Sequence, residues 1–170
     1  MAALTGSRNT SEWAVGNRYH YGLAGVEAAT SLYVGGMVAL DANGYAVPAQ
    51  PTGAGPLATL LVVGIVEYVY AGGIMPPGVN ALNQAGLGSV FPGVPAASLG
   101  NAGAISVGIA CSVFGMDFDG TITGAVKMGQ LAYALDDHTV TLTATGHVIA
   151  GRITAVEGGQ CYINFDSRAP

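Results

Sequence analysis

Glycine and proline recur so often in this chain that almost no stretch of it can carry a helix. There are 27 glycines and 8 prolines in 170 residues; glycine alone is at more than twice its usual share of ~7%. No run of about a dozen residues is free of both and also shows a 3.6-residue apolar period. The best helical candidate, Leu23 to Leu32, is short and alanine-rich. Strand-like runs are plentiful: "LYVGGMVAL" (32–40), "YAVPA" (45–49), "LATLLVVGIVEYVYA" (57–71), "AISVGIACSVF" (104–114), "GTITGAVK" (120–127), "QLAYALD" (130–136), "TVTLTAT" (139–145), "HVIAGRITAVE" (147–157) and "CYINF" (161–165). They are rich in Val, Ile, Thr and Tyr and are punctuated by turn residues, the pattern of strands. Many short strands joined by Gly-rich turns predict an all-β fold, a small antiparallel sandwich or barrel-like domain.

Two turns stand out. "DANG" (41–44) ends in Asn-Gly between two apolar runs, the strongest short hairpin signal. "EGGQ" (157–160) places Gly-Gly between Val156 and Cys161. There is also an internal echo. "GGMVALDANGYAVPA", followed later by "VVGIVEYV", parallels "MGQLAYALDDHTVTLTAT", followed later by "VIAGRITAV". Each reads as Gly, an apolar strand ending in Leu-Asp, a turn, a second strand, then a strand centred on Gly64 or Gly151. A repeated hairpin-plus-strand unit and a coincidental likeness between two meanders both account for it.

The strands leave two segments over. Residues 1–30 are expected to form an extended N-terminal arm, and 31–166 a single β domain, with 167–170 a tail. The domain is interrupted by "GGIMPPGVNALNQAGLGSVFPGVPAASLGN" (72–101), rich in Gly and Pro and without strand period. Loops longer than ~12–15 residues are uncommon inside a compact domain. This one is apolar, with Ile74, Met75, Leu82, Leu87, Val90 and Phe91. It suits an arm that orders on a neighbour's surface, or a loop packed on its own domain. In the N-terminal arm, "SEWAVGNRYHY" (11–21) gathers Trp13, Arg18, Tyr19, His20 and Tyr21. Aromatic and Arg side chains dominate the energetics of interfaces. The candidate partner contacts are therefore Trp13, Arg18, Tyr19, His20, Tyr21, Ile74, Met75, Leu87 and Phe91; Trp13 could equally fill its own core.

Composition narrows the function classes. Charged residues are 9% of the chain and hydrophobic ones 51%, against a usual charged share of ~25%. Much of the surface must then be small, neutral and apolar, the kind that a partner covers. The net charge is −5, with Lys127 as the only lysine, so no basic stripe for nucleic acid exists. The longest apolar run, Leu57 to Val66, is about half the length needed to span a bilayer as a helix. No apolar signal-peptide core is visible in "MAALTGSRNTSEW". Cys111 and Cys161 lie inside strand-like runs and read as buried small hydrophobes.

The one dense group of titratable residues is Asp136-Asp137-His138, with His147 nearby. Period-two alternation on both sides makes it a solvated hairpin tip, where Asp caps local N–H groups; a metal site would need three or four ligands in workable geometry. "GMDFDGTITG" (115–124) opens like a calcium loop, but Val126 stands where the closing Glu belongs; it reads as another hairpin tip. No nucleophile elbow, phosphate loop or H-E-x-x-H is present. No catalytic, cofactor or metal residues are expected, and the chain reads as a non-enzyme.

The order Gly35-x-x-Val38-x-x-Asp41, the Gly-centred "VVGIVEYV", "GAISVGIACSVF" and then "KMGQLAYALDD" with "HVIAGRITAVEGGQCYINF" resembles the capsid cement (decoration) proteins of tailed bacteriophages. The likeness spans residues 32–71 and 102–166 and is a pattern of glycines and strands, not an invariant motif. It implies a non-enzymatic protein on the outer surface of the virion head, made in the host cytoplasm. Its implied partners are the major capsid protein, whose subunits it bridges, and itself, commonly as a homotrimer. Other readings are another virion component, such as a spike or fibre base, or a carbohydrate-binding β-sandwich using Tyr68, Tyr70, Tyr133 and Tyr162.

Overall fold

A computed structural model describes residues 19–27, 30–50, 61–71, 105–120 and 126–166. All regular structure among them is strand: β1 (Tyr19–Gly25), β2 (Met37–Leu40), β3 (Ala46–Pro48), β4 (Leu61–Ala71), β5 (Ile105–Cys111), β6 (Val113–Phe118), β7 (Leu131–Ala134), β8 (Thr139–Thr141), β9 (Val148–Glu157) and β10 (Gln160–Asn164). The all-β expectation holds. The alanine-rich segment from Leu23 is not helical. Leu23–Gly25 complete β1 opposite β5, and Val26 bridges Ala46; pairing to an existing sheet outweighs a weak local propensity.

The strands form a five-stranded sheet, β1-β5-β4-β2-β3, and a closed barrel, β10-β6-β8-β7-β9. The two are copies of one unit, matched in register. In the first, Val38 faces Gly64 and Ala39 faces Val62, with Val63 bulged out. In the second, Ala132 faces Gly151 and Tyr133 faces Ile149, with Ala150 bulged out. Farther along β4, Ile65 pairs with Ala110 and a bulge at Glu67 follows. On β9, Arg152 pairs with Asn164 and a bulge at Thr154 follows. The entry turns also agree. Gly35 (φ 87°) and Gly129 (φ 84°) donate to Val66 O at 2.8 Å and Ile153 O at 2.7 Å. The internal echo is therefore a structural repeat.

The match extends to closure. The barrel closes through a parallel pair, Phe118 with Val140, and Asp119 N–H donates to Val140 O at 2.9 Å. At the same register in the first sheet, Val26 makes a parallel bridge to Ala46, and Glu27 N–H donates to Ala46 O at 3.1 Å. So the first sheet curls until its edge strands meet. The fold is not purely antiparallel, as the sequence suggested. β6, which holds the first part of "GMDFDGTITG", lies between β10 and β8; residues 121–125, and with them most of the strand expected at 120–127, lie outside the described residues. The run 104–114, expected as one strand, divides at Ser112 into β5 of the first unit and β6 of the second.

Strand alternation sorts the apolar side chains into two sets. Val26, Leu32, Val38, Ala46, Val63, Val66, Val107 and Ile109 fill the inside of the first unit. Their register counterparts in the second, among them Ala132, Val140, Ala150, Ile153, Cys161 and Ile163, fill the barrel. The opposite faces of β2–β5 in the first unit carry Met37, Ala39, Val47, Val62, Ile65 and Ala110, and these are buried too, in one cluster with the barrel interior. The barrel therefore sits against the outside of the first unit, and the shared cluster includes Phe114 and Phe165, whose rings lie 6.2 Å apart.

Candidate functional site

The Asp136-Asp137-His138 loop sits where the two units meet. β7 and β8 are joined by four residues, Leu135 to His138, and Leu135 N–H donates to Thr139 O at 2.9 Å to close the turn. Asp136 Oδ1 accepts the N–H groups of Thr139 at 2.7 Å and His138 at 3.0 Å, the way an Asp side chain caps the amides of a turn. His138 Nδ1 lies 3.1 Å from Asp136 Oδ1 and 3.2 Å from Asp137 Oδ1. The hairpin expectation is right, but the tip is not solvated. Asp136 is 7% and Asp137 3% exposed, because the loop is pressed against β2: Met37 N–H donates to Asp137 O. The second unit's loop thus extends a hydrogen bond to the first unit's strand.

The corresponding loop of the first unit, Asp41 to Tyr45, shows what the turn needs by itself. Asp41 Oδ1 accepts Asn43 N–H and Tyr45 N–H, each at 2.8 Å, and Asp41 N–H donates to Tyr45 O at 2.9 Å. One carboxylate suffices. That loop is open, with Ala42, Asn43 and Gly44 exposed. The additional Asp137 and His138 occur in the copy whose loop is buried between units.

One ligand atom from each of Asp136, Asp137 and His138 can lie within 4.8 Å of the others, a spacing compatible with a metal ion. The donor set fits poorly. Asp136 Oδ1 is taken by two backbone N–H groups, and the imidazole stands at hydrogen-bond distance from both carboxylates, so these groups satisfy one another without a metal. Asp136 Oδ2 is buried with no hydrogen-bond partner, a cost of about 1–3 kcal/mol carried by the loop. The arrangement acts as a latch between units.

The second unit also has an outer face that matches the covered one of the first. Leu131, Tyr133, Ile149 and Arg152 take the register positions of Met37, Ala39, Val62 and Ile65. All four are partly exposed, and Arg152 Nη1 donates to Gly129 O at 2.7 Å. Of the aromatics weighed for a glycan platform, Tyr133 and Tyr162 pair near opposite ends of β9, with Ile149 and Ala155. Tyr68 and Tyr70 lie in β4 beside β5.

Among the partner-contact candidates, Tyr19, His20 and Tyr21 belong to β1, opposite Cys111, Ala110 and Ile109. From Tyr19 onward the segment expected as an arm is thus part of the first unit. Trp13, Arg18, Ile74, Met75, Leu87 and Phe91 lie outside the described residues. Sequence reasoning missed the Met37–Asp137 seam and Arg152; aligning the two halves of the internal echo residue by residue is the signal that leads to them. Cys111 and Cys161 are buried thiols, as expected, and Cys111 Sγ donates to Asp166 Oδ1 at 3.4 Å. No helix among the described residues is long and apolar enough to cross a membrane. No protein-family model, no curated protein and no solved structure matches the chain.

Proposed function

We propose that this protein is a non-enzymatic capsid cement protein, which binds the outside of an assembled bacteriophage head and bridges major capsid subunits. The observation that carries the reading is the very low charge, 9% of residues, on a chain that also has a long apolar Gly/Pro-rich segment at 72–101. Such a chain gains most by burying neutral surface against partners. The likeness in glycine-and-strand order to tailed-phage cement proteins gives the partner its identity. A ligand that binds the assembled lattice and not free subunits stabilises the lattice by mass action. The two packed β units supply the folded body.

The test is co-sedimentation with purified heads that lack decoration, followed by heating. The reading expects the protein to pellet with heads at a fixed stoichiometry and to raise the temperature at which they release DNA. Protein that remains in the supernatant at micromolar concentration would overturn it, and a glycan screen would then take priority.

A further inference from the structure

We propose that copies of this chain associate head to tail, the open end of one molecule's first unit docking on the outer face of the next molecule's second unit. The interface is the one already present within the chain, used a second time. Each unit has a loop end and an outer face. Within one molecule, the end of the second unit, carrying the 135–138 loop, covers the face of the first, and Met37 N–H donates to Asp137 O. That pairing uses one end and one face. It leaves the end of the first unit, around Asp41–Tyr45, and the face of the second, around Leu131, Tyr133, Ile149 and Arg152.

The register defines the contact. Leu131 stands where Met37 stands, and Asn43 where Asp137 stands, so Leu131 N–H of one copy meets the Asn43 carbonyl of another. The charges agree. Asp41 and Glu27 flank the open end, the backbone N–H of Glu27 donating to Ala46 O at the start of β3, and Arg152 lies on the open face. The face offers Tyr and Arg, residues enriched at interface hot spots, where its covered counterpart has Ala39 and Ile65. Ala42, Asn43 and Gly44 at the tip of the Asp41–Tyr45 loop are exposed, as an end awaiting a partner must be. An interface between two different surfaces closes into a ring or runs on as a chain. The proposal shares self-association with the capsid reading but rests on the repeat alone, so failure to bind heads leaves it standing.

The experiment is light scattering on the full chain at about 1–100 μM, a range set by interfaces of micromolar affinity. Wild type is expected at two or more times the 17.0 kDa chain mass. Ala42→Arg, at an exposed loop position, and Arg152→Glu, on the partly exposed face, should each give monomers that melt like wild type. Mixing the two should restore association, because the introduced charges then oppose one another across the junction. Independently, the double variant N43C/L131C should give disulfide-linked dimers and higher species under mild oxidation, since both native thiols are buried. A monomeric wild type, single variants that associate as wild type does, a mixture that stays monomeric, or no cross-link in N43C/L131C would each overturn the proposal.

Discussion

Gly151 lies so close to Asn164 on the neighbouring strand that a methyl group on it would fall inside the Asn164 carbonyl oxygen. Gly64, its counterpart in the first unit, stands in the same relation to Ala110 and has φ of +154°. Each glycine precedes the residue at which its strand crosses to the next, beside a bulge that bends the sheet toward closure. Closing a barrel of only five strands demands such tight bends, and they leave no room for a side chain.

Gly64→Ala and Gly151→Ala should therefore each destabilise the protein by about 1–3 kcal/mol or more, the usual cost of forcing atoms into filled space. For a chain of this size each kcal/mol lowers Tm by roughly 2–4 °C. Gly44→Ala is the control. It has φ of +83° but nothing within 4 Å of the added methyl, so only the left-handed backbone cost of roughly 1–2 kcal/mol applies. Thermal melts that rank Gly44→Ala as the most damaging of the three would refute this account of the strand bends.

The two Asp-capped loops should respond unequally to loss of the cap. Asp136→Ala strips the acceptor from two amides in a buried seam and should cost about 1–3 kcal/mol. Asp41→Ala exposes its amides to water and should cost less than about 1 kcal/mol. Asp136→Asn keeps an acceptor oxygen and should recover most of the loss. Urea denaturation of the three variants measures this directly; equal losses at Asp41 and Asp136 would mean the buried seam adds nothing.

Burial pushes the Cys161 thiol from about 9 up to about 11. The folded chain then keeps this proton over a range in which the unfolded chain has lost it. Stability is unaffected below about pH 9 and declines as pH rises from there toward 11, by at most about 1.4 kcal/mol per pH unit. Cys161→Ser, whose hydroxyl does not ionise in this range, should flatten that slope in denaturation curves between pH 8 and about 11. At pH 8 Cys161 should resist iodoacetamide in the native state and react on unfolding; rapid native labelling would contradict its burial.

The segment between β4 and β5 should be dispensable for folding. In the second unit the corresponding strands are joined by Gly158 and Gly159, both at positive φ (59° and 83°), a geometry suited to a two-residue hairpin. Replacing residues 72–104 with Gly-Gly should leave Tm within a few degrees of wild type while abolishing binding to phage heads. Retained head binding would remove this segment, with Ile74, Met75, Leu87 and Phe91, from the proposed contact surface.

Much of this is legible in the sequence for local reasons. Scarce helix periods, β-branched runs and Gly-rich turns dictate strands, and "DANG", "DDH" and "EGGQ" mark hairpins because those residues suit the backbone of tight turns. The order of features around Gly64 and Gly151 already carries the repeat. Period-two alternation, however, says only that a strand has two faces. On β2 both are buried, Val38 inside its own unit and Met37 against the next, and nothing in "MVAL" distinguishes that from one-sided burial. The Asp136–His138 loop reads as solvated because its residues are polar; Met37, far away in sequence, is what buries it. The break at Ser112 and the parallel closure of Phe118 on Val140 are likewise long-range. Turn chemistry acts between neighbours, so the sequence alone determined the strands and their hairpins. Which face is core, which edge closes and which loop is covered depend on what packs from elsewhere in the chain, and only the tertiary structure decided them.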